Sequence, residues 1–539
     1  MAFKPWRTLP GSALLWLLNL FSAVAFIFEG YNQGVMGAVN GVPGYIDIVG
    51  IGADGRVTNT TKQGGLVAVY YFGAMFGCFF GGKIGDLYGR RKAVALGSFL
   101  AIVGGALQAA SQSDNMTIVA RTICGLGIGF INTIIPAWVS ELAQAHNRGA
   151  TFALVFAANY VGIVIAYWVG YGLRNNTTDF RWRFPLAFQI VPLAIVLGSV
   201  GFLPESPRYL LTVGRRDEAL EILAKVRGDA DLSDPSIQAE IAQLDAIVTS
   251  ARSSRYSLHN LFLWGRHSGK LHLGRRIGLA VGIMMMMEWT GILAITVYAG
   301  IMFEQAGFST EKSSLLAGII QIVGILGTLA ATFTIDRFGR RPSLLFGFIV
   351  QGAVLILSGG LSRLGELHPA QSGSYGAASV AMVFIYTFFF AQTVLMIAFI
   401  YPTEIWPQEM RARGNAFGVF GWAVGCGTTT LVIPSMFAAL GWKTLVVFGA
   451  FNFGSVPLVW FFFPETKGRS LEEINLLFCS ESPLVKENER TYDEILQRSG
   501  GNVANAEREI MENLDPQEGE KDSGSGLEKG ELRTAKTLE

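Results

Sequence analysis

Near charge-free stretches, a set of motifs used twice in the same order, and arginines gathered in alternate loops together predict an all-α integral membrane protein. The expected architecture is twelve transmembrane helices in two pseudo-symmetric six-helix bundles, residues 1–203 and 274–463. A linker, 204–273, joins them, and a tail, 464–539, follows. Only 15% of the 539 residues are charged, well below the roughly 25% of soluble domains. Runs such as Ala13–Phe28, Leu66–Phe80, Ile190–Leu203, Ile277–Met287 and Leu445–Phe463 are almost free of charge. A helix that crosses a bilayer needs about 20 such residues.

Taken in order, the first half divides into spans 13–39, 64–81, 93–110, 117–140, 149–172 and 184–203. The second divides into 274–303, 314–335, 343–361, 376–402, 414–437 and 441–463. The N-terminus, M-A-F-K-P-W-R-T, places two positive residues before a long apolar run without a small-residue cleavage pattern. It reads as a retained first helix rather than a removable signal. Arg90, Arg91 and Lys92 follow the second span, Arg148 the fourth, Arg340 and Arg341 the eighth, and Arg411 and Arg413 the tenth. All then share one side, which the positive-inside bias makes cytoplasmic, together with both termini. The sequons at Asn59, Asn115 and Asn175 fall in loops of the other side, as candidate glycosylation sites.

The linker contains E-A-L-E-I-L-A-K-V and I-Q-A-E-I-A-Q-L, whose helical periodicity predicts short amphipathic helices at the cytoplasmic surface. From Glu481 onward the chain holds fifteen acidic and eight basic residues with little apolar content. Such a segment cannot bury a core, so the tail is expected to be mostly disordered after about 480. The formal net charge of +1 gives no reason to expect a nucleic-acid partner. Cys78, Cys124, Cys426 and Cys479 lack metal-ligand spacing, and three of them lie in apolar spans. No disulfide framework, metal or cofactor follows from them. No nucleophile–base pair or phosphate loop supports an enzyme. The expected partners are a small solute, the bilayer and, for one coupling mode, protons, with a monomer as the functional unit.

The internal repeat is the most informative feature. G-K-I-G-D-L-Y-G-R-R (82–91) recurs as T-I-D-R-F-G-R-R (334–341). P-A-W-V-S-E-L-A-Q-A-H-N-R-G (136–149) recurs as Y-P-T-E-I-W-P-Q-E-M-R-A-R-G (401–414), and P-E-S-P-R (204–208) as P-E-T-K-G-R (464–469). Asp86 and Asp336, Glu141 and Glu404, and Glu205 and Glu465 are spaced by 250, 263 and 260 residues. Near-constant spacing means one six-helix unit used twice. Parallel halves related by an axis along the membrane normal suit alternating access to a midplane site. Asp86, Arg90, Arg91, Glu141, Arg148 and Glu205 sit where helices leave the bilayer, as do Asp336, Arg340, Arg341, Glu404, Arg411 and Glu465. They are read as inner ion-pair clusters that latch the outward-open state and break on inward opening. The plainer alternative is charge that only sets topology.

These motifs carry a resemblance. Over roughly residues 10–475 the chain resembles the sugar-porter branch of the major facilitator superfamily. The resemblance rests on G-x-x-x-D-x-x-G-R-R, R-T-I-C-G-L-G-I-G from Arg121, P-E-S-P-R-Y-L-L, G-R-x-x-E-A (214–219) and P-E-T-K-G-R-S-L-E-E-I. Y-P-T-E-I-W-P and the tail length are similar to fungal members. The family implies the major facilitator fold and a hydroxyl-reading cavity between the halves. At the sites where the family carries amides, this chain has Phe156, Met287, Glu288, Leu293 and Gly324. Phe399 stands for the family's tenth-helix Trp.

Polar or ionisable groups inside spans are costly and usually functional. The candidate solute-binding residues are Asn32, Phe156, Asn159, Gln189, Met287, Glu288, Tyr298, Gln321, Phe399 and Trp422. Trp289 is a further candidate for stacking on a ring face, and Gln392 a further polar one. Single aromatics such as Phe156 and Phe399 read equally as packing residues. Proton-coupled members of the family carry an Asp in the first helix, facing an Arg of the fourth. Here Asn32 replaces the Asp while Arg121 stays. An amide cannot titrate, so that switch is absent in its usual form. Glu29, one helical turn before Asn32, is the candidate replacement partner of Arg121. Glu288 is a second candidate proton site, since burial disfavours the charged form of a carboxylate. Uniport and proton symport both stay open, and two acids in the spans tilt the reading toward coupling. The expected function is secondary transport of a monosaccharide, polyol or related small polyhydroxylated solute across the plasma membrane. The alternatives are a carrier of a sugar acid or secondary metabolite, and a non-transporting nutrient sensor.

Overall fold

The computed structural model describes residues 5–142, 148–253, 272–407, 410–503 and 506. In lipid, each backbone N–H and C=O must be satisfied inside its own segment, so apolar runs of this length become helices. Eleven helices among the described residues are long and apolar enough to cross a bilayer. Those of the first half are Gly11–Val39, Thr60–Tyr88, Arg90–Ala109, Asp114–Val139 and Phe180–Phe202. Those of the second are Leu273–Glu304, Thr310–Phe338, Arg340–Leu367, Pro369–Glu404, Gly414–Leu440 and Lys443–Phe462. The helix Arg148–Gly172, packed on the first and eighth passes, completes twelve as the fifth.

Most passes run a turn beyond the apolar stretch that predicts them, because the helix continues until something caps it. The side chain of Asn59 accepts from the Lys62 backbone N–H at 2.9 Å and so starts the second pass. Ser309 does the same for Lys312 at the start of the eighth. Two passes are irregular. The seventh is broken between Leu273–Glu288 and Ile292–Gln305, where Gly291 takes φ +105°. The tenth contains a π-helical turn at Phe390–Leu395. Breaks of this kind in membrane helices line cavities or lie inside protein.

Inside each half the helices approach by backbone. A Cβ added to Gly30 would sit 1.8 Å from the Asn159 carbonyl oxygen, and one on Gly162 would sit 2.1 Å from that of Ile27. The first and fifth passes therefore touch main chain to main chain at mid-depth. Gly125 meets the Tyr70 carbonyl oxygen at 1.9 Å in the same sense, joining the second and fourth passes. Small residues are the usual means of packing helices in a bilayer, where lipid is as apolar as leucine.

The two halves also touch each other on the face opposite the termini. There the Thr60 and Thr61 hydroxyls lie 3.2 and 3.3 Å from that of Ser435. The Tyr167 hydroxyl donates to the Thr296 carbonyl at 2.7 Å, and Arg174 pairs with Glu311 at 3.4 Å. Toward the termini, Phe79 packs on Phe417 and Phe420.

The linker forms three helices, Pro207–Thr212, Arg216–Val226 and Pro235–Ser253, the second of which buries Ala219, Ile222, Leu223 and Val226. Residues 254–271 lie outside the described residues. The tail departs from expectation. Val485–Arg498 is helical, not disordered. Val485, Asn488 and Tyr492 form one buried stripe, and the Tyr492 hydroxyl donates to Glu473 at 3.0 Å. Arg275 of the seventh pass donates to the Ser482 and Pro483 carbonyls and to Asn488 Oδ1, at 3.0, 2.8 and 3.0 Å. Composition summed over the whole tail hides this short stripe. The tail beyond residue 506 lies outside the described residues.

Replacing Gly162 with Val should force the first and fifth passes apart, at about the 1–3 kcal/mol that overpacking costs. The expected result is a lower melting temperature and less monodisperse protein by size-exclusion chromatography. Wild-type melting behaviour in that variant would show that the backbone contact is dispensable.

Candidate transport site

A narrow cavity of about 40 Å³ lies between the halves at mid-depth. Helical periodicity decides what faces it. The first pass contributes Glu29 and Gln33, four residues apart and so on one face. The fifth contributes Phe156, Asn159, Tyr160 and Ile163, a repeat of three and four residues. The break in the seventh pass turns Met287 and Glu288 inward on one side and Ile292, Leu293 and Thr296 on the other. The tenth pass adds Phe390, Leu395 and Phe399, and the eleventh Trp422 and Cys426.

Both acids of the membrane interior therefore face one space, one from each half. Glu29 and Glu288 are 3% and 4% exposed, and neither has an ion-pair partner among the described residues. Glu29 Oε1 accepts from Asn132 Nδ2 at 2.8 Å. Glu288 is hydrogen-bonded to the Cys426 thiol, and its Cβ lies against Gly425. Aromatic rings close the remaining wall. Phe156 and Phe399, from opposite halves, have centroids 4.6 Å apart at 48°. Trp422 meets Tyr71 edge-on at 5.6 Å.

Gly324 marks a second contact between the halves. The Tyr160 ring occupies the place where a Cβ of Gly324 would be, with its nearest carbon 2.1 Å from that point. A side chain at position 324 and a tyrosine at 160 exclude each other. The amide that the family carries on the eighth helix is thus replaced by an aromatic ring reaching in from the fifth.

Of the residues expected to bind solute, Phe156, Asn159, Met287, Glu288, Phe399 and Trp422 line the cavity. Asn32, Gln189, Tyr298 and Gln321 do not, and each is held elsewhere. Asn32 Nδ2 donates to Gln189 Oε1 at 2.5 Å, and Gln189 Nε2 donates to the Leu186 carbonyl at 2.6 Å. This pair is buried among the first, fourth and sixth passes, one residue around the helix from the cavity face of Gln33. Tyr298 donates to the Thr430 carbonyl at 3.4 Å, and Gln321 Nε2 to that of Ile295 at 3.5 Å. Trp289 also turns away, donating to Thr428 at 3.3 Å and packing on Phe451 in a separate apolar groove. Gln33, Tyr160, Thr296 and Cys426 are cavity residues that sequence reasoning missed. The spacing of four between Glu29 and Gln33 was the signal available for one of them.

The expected pairing of Glu29 with Arg121 is not present. Glu29 is level with Asn132, eleven residues along the fourth pass from Arg121. That separation is about 16 Å of helix. Arg121 instead donates to Gln108 Oε1 at 3.4 Å and the Val67 carbonyl at 3.3 Å, with its guanidinium 5.4 Å from the centre of the Tyr70 ring.

The repeated motifs assemble two matching clusters on the face that carries the termini. Arg90 pairs with Glu141 and Asp86, each at 3.1 Å. Glu205 accepts from the backbone N–H groups of Arg90 and Arg91 at 2.9 and 3.4 Å. In the second half Arg340 pairs with Glu404 at 2.7 Å and Asp336 at 2.9 Å. Glu465 accepts from the backbone of Arg340 and Arg341, both at 2.9 Å. The two Arg–Arg turns start from glycines at φ +96° and +99°, Gly89 and Gly339. Burial raises the Glu205 carboxyl above the usual carboxylate value, against the pull of its backbone donors. Among the described residues, the pairs of each cluster stay within one half. The side chains of Arg148 and Arg411 lie outside the described residues. Asn59, Asn115 and Asn175 are all exposed on the opposite face.

Known proteins share both the sequence and the shape. The family model described as sugar (and other) transporter matches residues 18–478. The MFS-type transporter criB of Aspergillus cristatus is 32% identical over 430 residues, covering 79% of this chain and 87% of its own. The sugar transporter STL1 of Saccharomyces cerevisiae is 28% identical over 480 residues, covering 87% and 82%. The high-affinity glucose transporter of Kluyveromyces lactis is 26% identical over 486 residues, covering 87% and 86%. In fold, the chain is similar to the proton:xylose symporter XylE bound to 6-bromo-6-deoxy-D-glucose, with a TM-score of 0.72 at 21% identity. That likeness covers 87% of this chain and 100% of XylE. With a family match over most of its length, and two six-helix halves around one cavity, the chain belongs to the sugar (and other) transporter family of the major facilitator superfamily.

Proposed function

We propose that the chain carries a small polyhydroxylated solute of the monosaccharide or polyol class across the plasma membrane, with both termini cytoplasmic and protons as the coupling ion. The protein acts as a monomer, its halves rocking about the central cavity. One observation carries the reading: the acids Glu29 and Glu288, from opposite halves, face the same midplane space. Gln33, Asn159 and Thr296 add donors and acceptors for hydroxyls, and the aromatic wall suits an apolar ring face. Relatives named as sugar and glucose transporters support the solute class. Two carboxylates on the wall disfavour an anion, which weighs against a sugar acid.

Glu29 is the proposed proton carrier. It stands in the helix where other members carry their titrating Asp, but at the level of Asn132. The titratable groups around it are Tyr70, Tyr71, Cys426 and Glu288. Those around Glu288 are Tyr71, Tyr160, Tyr386, Cys426 and Glu29. None of these carries a positive charge, so a proton is the simplest neutralising ion while the cavity is empty. The inner clusters Arg90–Glu141 and Arg340–Glu404 are proposed to keep each half rigid while the halves move.

In a transporter-null yeast tested with hexoses, pentoses and polyols, uptake should rise as the outside pH falls. Glu29→Gln should cut accumulation against a gradient by about ten-fold or more while leaving exchange of solute at equal concentrations. Undiminished pH-driven accumulation in that variant would remove Glu29 from the coupling role. A second test concerns solute size. Gly324→Ala should displace the Tyr160 ring and lower transport, whereas Tyr160→Ala should widen the cavity and raise the affinity for bulkier solutes. Identical selectivity in both variants would show that the ring does not shape the cavity.

A further inference from the structure

We propose that the hydroxylated solute is a cation, an amine or quaternary ammonium that also carries hydroxyl groups. The inference rests on the central cavity being the transport site, as proposed above. It starts from a charge imbalance. Two carboxylates nine-tenths buried face one narrow space, whose lining among the described residues contains no Lys, Arg or His. Neither acid has an ion-pair partner among the described residues. Removing an ionised carboxylate from water costs several kcal/mol unless a cation accompanies it. A proton on Glu29 answers one acid. A positively charged solute answers the other.

The aromatic wall points the same way by a separate route. Phe156 and Phe399 come within 4.6 Å of each other from opposite halves, and Tyr160, Phe390 and Trp422 line the same space. Ring faces attract cations, and rings grouped about a cavity are the usual way to hold quaternary ammonium groups. Glu288 sits among these rings, held by the Cys426 thiol.

The chemistry also explains why amides are missing at Met287, Leu293 and Gly324. A neutral sugar is held by directional hydrogen bonds, and every unmatched buried group is destabilising. A cation is held by charge and ring faces, which tolerate a range of orientations. Loss of amides and gain of an acid at Glu288 then become one change rather than two. Gln33, Asn159 and Thr296 suffice for one or two hydroxyls.

Matched pairs of probes test the idea on the purified full chain by isothermal titration calorimetry. Choline is compared with its neutral isostere 3,3-dimethylbutan-1-ol, and D-glucosamine with D-glucose and N-acetyl-D-glucosamine. The cationic member of each set should bind at least ten-fold more tightly. Glu288→Gln should erase that ratio. The wild-type ratios decide the matter even if the variant is unstable. Equal binding of cation and neutral partner overturns the cation and leaves the hydroxylated-solute reading intact. Binding of choline and its isostere alone, with no sugar or amino sugar bound, overturns the monosaccharide-or-polyol reading of the solute instead. Silence from every probe overturns both.

Discussion

Backbone contact between helices is what the rest of this bundle depends on. In a bilayer, apolar side chains gain nothing by leaving lipid for protein, so association falls to close packing. The contact of Gly30 with the Asn159 carbonyl shows how much follows from it. Glu29 precedes Gly30, and Asn159 owns the carbonyl it touches. The same contact that joins the first and fifth passes therefore fixes two polar side chains on the cavity wall. Packing and site are one arrangement at this point.

The fold was largely legible in the sequence, because lipid reduces the problem to counting apolar runs and locating arginines. The repeated motifs then supplied the two halves. The site was legible only in part. Which residues lie inside a span can be read from sequence, but which way each faces depends on helix rotation. Asn32 and Gln33 are neighbours in sequence, yet one is sealed against Gln189 and the other meets the cavity. Gly324 could be read as a missing amide, but not as the seat of a ring from the opposite half. Glu29 could be placed on the right face but not at the right depth, since Arg121 lies eleven residues before Asn132 in the fourth pass. The helix Val485–Arg498 escaped notice because three buried residues are a weak signal among many charges.

The two clusters at the termini face repeat one another closely. Each has an arginine between two acids and a third acid bound to backbone N–H groups at the start of a helix. Acids at that position favour the positive end of the helix dipole. Charge there fastens helices within a half. Charge at the centre, in Glu29 and Glu288, faces the space between halves. In the proposed reading, one chain uses carboxylates for two opposite purposes, rigidity at its edge and exchange at its middle.

The Tyr160 ring over Gly324 belongs to both bodies at once: it is anchored in one and seated in the other. Any movement that parts the halves at this depth has to draw the ring from its seat, whether or not solute is aboard. The work of unseating it enters every such movement of the empty carrier as well as the loaded one. In the proposed reading, selectivity and turnover then meet at a single residue.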